Sequence, residues 1–319
     1  KVGGPVGPGA RPGDLSIAVE AELRSVLVRG AFEGRDFERG AVRVRSDGRG
    51  FEASGTGQLA GAGVRLQGRS DGRRTSLRAE IDTTDEIRDR LGLDLGSFVT
   101  GPVPVRLTRE IVGAESTQRF EADLVGARVV IEPLAFEKAR GVPGTIAFTI
   151  RDLPRDVTLL DDLVFQGRGF ALRGRLRLDA DGLPTLIEIT DGRLRPDDAF
   201  TARYEREGDR QQVRVPGRQL DARPFLSRFF SEVDVAAPAA GGARRERLDI
   251  SLRLDRVTGA NNQSIGDARL EMTRVGPQIT AFTLGGSLGG ATRVTGQILS
   301  DQGRPYMLIQ TTDGGALLR

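Results

Sequence analysis

The stretch AVRVRSDGRGFEASGTGQLAGAGVRLQGRSDGRRTSLRAEIDTTD, residues 41–85, decides how the chain folds. Val42 and Val44 alternate with Arg43 and Arg45, and Leu77, Ala79 and Ile81 alternate with Arg78 and Glu80. Alternation with period two places one residue set on one face of a pleated strand and the next set on the other. Between these runs stand SDGRG (46–50) and SDGRR (70–74). Asp and Gly there favour tight turns that return the chain antiparallel to itself. The stretch therefore predicts consecutive hairpins with one apolar face and one Arg-rich face.

The same pattern extends in both directions. It recurs at Leu15/Ile17/Val19/Ala21, Val103/Val105/Leu107, Phe120/Ala122/Leu124, Ile146/Phe148/Ile150, Leu176/Leu178, Val213/Val215 and Leu248/Ile250/Leu252/Leu254, with DADGL (179–183) as a further turn. The expected fold is mainly β: a long open antiparallel meander curled into a repeating β-groove, with a few short helices. Roughly 20 strands spaced about 4.8 Å apart would run for on the order of 100 Å, and open sheets of that size curl or close. The residues expected to line the inner face are Val42, Val44, Leu77, Ile81, Ile146, Phe148, Leu176, Leu178, Ile250 and Leu252, with Arg43, Arg78, Arg177 and Arg253 on the other side.

An internal repeat supports a modular layout. Shifted by 228 residues, 42–85 lies on 270–313 without a gap, matching Gly48, Ala53, Gly57, Gly61, Arg65, Gly68, Ile81, Thr83, Thr84 and Asp85 to their counterparts. TTDEIRDRLGL (83–93) offers Thr83 as a helix cap with Glu86 three residues on. QLDARPFLSRFFSEV (219–233) predicts a second short helix, over about 220–231, capped by Asp221. The expected organisation is a flexible Gly/Pro linker (1–13), β-groove units at 14–108 and 109–236, a linker (237–246), and a truncated unit at 247–319. The chain begins without Met and stops inside a repeat, so it is read as an internal fragment.

Composition excludes several chemistries. The 319 residues contain no His, Cys or Trp. Ser-His-Asp and Cys-His arrangements are impossible within such a chain, as are zinc sites built on His or Cys. Basic and acidic groups nearly balance, 47 against 44, which gives no footprint for nucleic acid. Asp161/Asp162 and Asp197/Asp198 sit beside turns, where Asp bonds to backbone, and are not read as catalytic. GGSLGG (285–290) lacks the Lys-Ser/Thr of a phosphate loop and reads as a hairpin or bend. The chain is expected to be no enzyme and to need no cofactor or metal.

IDTTDEIRDRLGLDLGSFVTGPVPVRLT (81–108), VPGRQLDARPFL (215–226) and IQTTDGGALLR (309–319) resemble the AsmA-like superfamily of bacterial envelope proteins, in particular its YhdP-like branch. The resemblance covers nearly all of the chain after residue 13. It implies a periplasmic β-groove belonging to an inner-membrane-anchored protein of a Gram-negative bacterium. The groove would carry phospholipid between inner and outer membranes, with acyl chains as its partner. Two other classes compete: a structural or adhesive β-array with a side-chain-filled core, and an outer-membrane β-barrel. The barrel would carry aromatic girdles, which a chain with no Trp and two Tyr supplies poorly.

Overall fold

A computed structural model describes residues 2–3, 16–32, 34–93, 95–154, 156–225, 246–259, 263–276, 278–290, 292–301 and 304–312. The chain is mainly β. It divides into two compact units, Lys1–Ile131 with Glu137–Arg151, and Glu132–Phe136 with Asp152–Arg319. Among the described residues no helix is long and apolar enough to cross a membrane.

In the first unit β1 (Val2–Gly3) pairs with β2 (Ser16–Ile17). The main run follows: β3 (Val19–Phe32), β4 (Arg35–Ser46), β5 (Phe51–Leu59), β6 (Ala62–Ser70) and β7 (Arg74–Thr83) pair in chain order, each antiparallel to the last. Asp47 and Asp71 close the expected turns, each carboxylate accepting two backbone N–H bonds at 2.8–2.9 Å. After β7 come the helix α1 (Asp85–Arg90) and the short β8 (Val99–Thr100), and the run resumes with β9 (Val103–Val112) and β10 (Glu115–Asp123). A second insertion, β11 (Arg128–Ile131) and β12 (Phe136–Lys138), precedes β13 (Gly144–Leu153), which pairs with β10. The two insertions meet in a small sheet of order β12-β11-β8.

The second unit carries β14 (Val157–Gly167), β15 (Phe170–Leu178), β16 (Pro184–Arg193), β17 (Ala199–Glu207) and β18 (Arg210–Asp221), then β19 (Arg247–Thr258), β20 (Ser264–Val275), β21 (Gln278–Leu288), β22 (Thr292–Asp301) and β23 (Arg304–Thr311). Neighbours in this order pair antiparallel with one exception. β18 and β19 run parallel, from Arg210 opposite Arg247 to Asp221 opposite Thr258. The topology is thus mixed, and the purely antiparallel meander expected from the sequence is corrected at this junction.

The repeat has a backbone counterpart. β3–β7 and β19–β23 are matching five-strand runs. Register slips between Glu38 and Ala41 where β4 meets β5, and between Gly266 and Arg269 where β20 meets β21, the same positions after a shift of 228. Left-handed glycines recur likewise, Gly48 with Gly276 and Gly61 with Gly289.

The helix α1 forms where expected, but its cap is Thr84. The Thr84 hydroxyl accepts from Ile87 N, while Thr83 donates across the strands to the Val103 carbonyl at 2.8 Å. Both threonines suit a cap; the partner carbonyl on β9 selects between them. Of the second expected helix, 223–225 are helical and 226–231 lie outside the described residues. Buried charges fix the insertions. The Arg88 guanidinium bonds Asp85, Gly101 O and Val99 O. The Lys138 ammonium donates to the carbonyls of Ala127, Ala139 and Val142 at 2.8–3.1 Å, using all three of its protons. Burial lowers the Lys138 pKa.

Candidate functional site

Register decides which side chains share a face, because cross-strand partners point the same way and i, i+2 positions follow them. In the first unit Val42 stands between Leu23 and Gly55, and Val44 between Ala21 and Ala53. Leu77 stands between Gly68 and Arg109, and Ile81 between Val64 and Val105. Ile146 is opposite Ala122 and Phe148 opposite Phe120, whose rings stack with centroids 4.6 Å apart. Leu107, opposite both Ala79 and Phe120, ties these rows together. All six positions therefore lie on one apolar face.

In the second unit Leu176 stands between Leu160 and Ile187, and Leu178 is opposite Thr158 and Pro184. Ile250 stands between Val213 and Met272, and Leu252 between Val215 and Leu270. These four also share one face. Arg43 and Arg78 in the first unit, and Arg177 and Arg253 in the second, occupy alternate positions on the opposite face.

Burial divides each apolar face along the strands. Toward one strand end the side chains are packed: Phe37, Ala62, Val64, Val103 and Ala122 in the first unit, and Phe165, Leu172, Phe200, Leu254 and Val294 in the second. Phe37 covers Gly57 and Phe200 covers Gly192, each ring filling the space that a β-carbon on the glycine would take. Toward the other end no described residue covers the face. Nine of the ten lining residues are half-buried, and Leu77 is 41% exposed. Leu23, also on this face, is 46% exposed.

The opposite face carries ladders of ions. Arg65, Glu80, Arg106, Glu121 and Arg119 form one chain of pairs at 3.0–3.6 Å. Arg175, Glu188, Arg203 and Glu205 form another. The hydrogen bond from Arg106 is the main reason that the Glu80 carboxyl titrates below its ordinary value. Exposed pairs of this kind contribute little individually and keep the face wet.

Sequence reading missed the polar groups on the apolar face. Arg109 continues the inward series Val103, Val105, Leu107, and Gln118 is its partner on β10. One row further out, Ser70, Thr75 and Ser116 share the face with Ile111. Extending the period by two residues along β9 would have found Arg109. The second unit has a similar row: Arg206, Gln211, Leu248 and Arg274 are consecutive cross-strand partners.

Of the paired carboxylates, Asp197 and Asp198 stand at the turn before β17, as expected, whereas Asp161 and Asp162 lie within β14 and not beside a turn. Asp198 is buried and accepts from Arg195 N at 3.0 Å and Asp221 N at 2.7 Å, tying the start of β17 to the end of β18. Burial raises its pKa. Asp162 occupies a left-handed position at a bulge in β14. Among the described residues no three His, Cys, Asp or Glu side chains converge as a metal site. A scan of protein-family models, a search of curated proteins and a search of solved structures each return no match.

Proposed function

We propose that this chain is a non-enzymatic segment of a lipid conduit in which the strands curl with the apolar face inward, forming a groove for phospholipid acyl chains. Its place would be the periplasm of a Gram-negative bacterium, in an inner-membrane-anchored protein of the AsmA-like kind that passes phospholipid between inner and outer membranes. The observation that carries this reading is the half-exposed apolar face of each unit, around Val42, Val44, Leu77 and Phe148 in the first and around Ile250 in the second. An apolar surface of this extent calls for a partner, and an acyl chain gains about 0.8 kcal/mol per buried CH₂. The duplicated five-strand run supports a modular array.

The packed rows around Phe165, Phe200 and Val294 favour a second reading, a structural array whose core is filled by its own side chains. A photocrosslinking residue at Ile250 separates the two. In lipid-rich membranes the conduit requires that it capture lipid while the same residue at Arg253, on the opposite face, does not. Equal capture at both positions, or none at either, leaves the structural array as the better reading.

A further inference from the structure

We infer that the polar end of the apolar face in the first unit is a binding site for the phosphate headgroup of a phospholipid, with Arg109 as its anchor. This rests on the lipid reading above and adds which part of the lipid is recognised, and where. Arg109 stands on the same face as Leu77, its cross-strand partner, and Leu107, two positions away. Its Nε donates to the Ser116 hydroxyl at 2.9 Å. Neither terminal nitrogen of the guanidinium has a protein acceptor among the described residues, and the group is in no ion pair there. Arg106, Arg119 and Arg175 on the outer face, by contrast, are threaded into carboxylate ladders. Glu110, the adjacent acid, is on the opposite face by strand alternation.

The surroundings match a phosphate ester. Thr75 and Ser116 flank Arg109 diagonally, within the ~7–8 Å between diagonal neighbours. Ser70 follows, its hydroxyl accepting from Thr75 at 2.9 Å. Two terminal nitrogens in a fixed fork bind two phosphate oxygens at once, and hydroxyls can donate to the remainder. Apolar rows through Leu77, Leu66 and Phe148 begin beside this cluster. A ligand that satisfies both ends has a tail and an anionic head. A free phosphate would leave the apolar rows uncovered, and a neutral lipid would leave the guanidinium without its acceptor.

The test compares two tail-labelled probes of equal chain length, a phosphatidylglycerol and a diacylglycerol, binding to the 319-residue chain. The wild type should prefer the phosphatidylglycerol by about tenfold, the scale of one charge-assisted contact. Arg109→Gln should bring the preference close to unity without loss of diacylglycerol binding. Arg109→Lys should restore part of the preference, and Arg78→Gln, on the outer face, should leave it intact. Circular dichroism of each variant checks that the strands persist. If both lipids bind and Arg109→Gln keeps the full preference, the headgroup assignment is wrong while the lipid reading stands. If neither lipid binds the wild type, both fail together. Inorganic phosphate that binds the chain as tightly as the phosphatidylglycerol would also overturn the assignment, because the tail would then contribute nothing.

Discussion

Arg39 and Asp267, 228 residues apart, hold the same left-handed backbone conformation, φ 52° and φ 48°, each at the register slip of its own five-strand run. The side chains share no chemistry, so the bulge belongs to the repeated backbone design. A non-glycine residue in this region costs about 1 kcal/mol or more. Asp267→Gly should therefore raise the urea midpoint, by an amount equivalent to about 0.5–1 kcal/mol, because glycine adopts positive φ without strain. A lower midpoint would mean that the Asp267 side chain contributes more than its backbone strain costs.

Packed and uncovered ends of the apolar face should respond differently to truncation. Leu254 is 3% exposed, and Leu254→Ala should cost about 2–5 kcal/mol in equilibrium unfolding. Leu77→Ala should cost under about 1 kcal/mol, since much of that side chain already meets solvent. Comparable losses at both sites would indicate a face that is filled throughout, against the conduit.

Arg88→Met should loosen the first insertion. The substitution leaves the Gly101 and Val99 carbonyls without their donor and Asp85 without its cation. Breaking a buried pair costs about 3–5 kcal/mol, and the half-exposed Asp85 brings this to roughly 2–3 kcal/mol here. Hydrogen exchange should locate the loss, with amides over 85–101 losing protection while those of β4–β6 keep theirs.

Two carboxyl groups should give opposite pH signatures. Backbone N–H groups of Arg74 and Arg73 hold the Asp71 carboxyl below its ordinary value. Its contribution is complete above the unfolded pKa of about 3.9 and lost as pH falls through the folded pKa. The stability gap between wild type and Asp71→Ala should therefore widen as pH rises through that range. Burial pushes Asp198 the other way. Its contribution is complete below the unfolded pKa and lost as pH rises through the folded one, so the gap to Asp198→Asn should narrow as pH rises. Urea unfolding from pH 3 to 6 checks both slopes.

Strands and faces were legible because alternation is a local property: Val42, Val44, Leu77 and Ile81 share a face with Ile146 and Phe148 through continuous register. Partner choice was not. An alternating strand reads the same beside a parallel neighbour as beside an antiparallel one, so Val213 and Ile250 gave no sign of running side by side in one direction. The choice of Thr84 over Thr83 depended on a carbonyl twenty residues away, at Val103. The buried roles of Arg88, Lys138 and Asp198 likewise rest on backbone groups brought from other segments. Half-exposure of the lining could not be read at all, because a filled core and an open face use the same residue types.

The parallel junction carries a consequence for strand direction. β14–β18 and β19–β23 each have five strands. With an odd count, an antiparallel join would start the second run in the reverse direction, and successive modules would alternate head up and head down. The parallel pairing of β18 with β19 cancels that reversal, so β19 sets out in the same direction as β14. Both five-strand runs of the second unit therefore have a front and a back in common, each presenting the same end of its first, third and fifth strands to the same side.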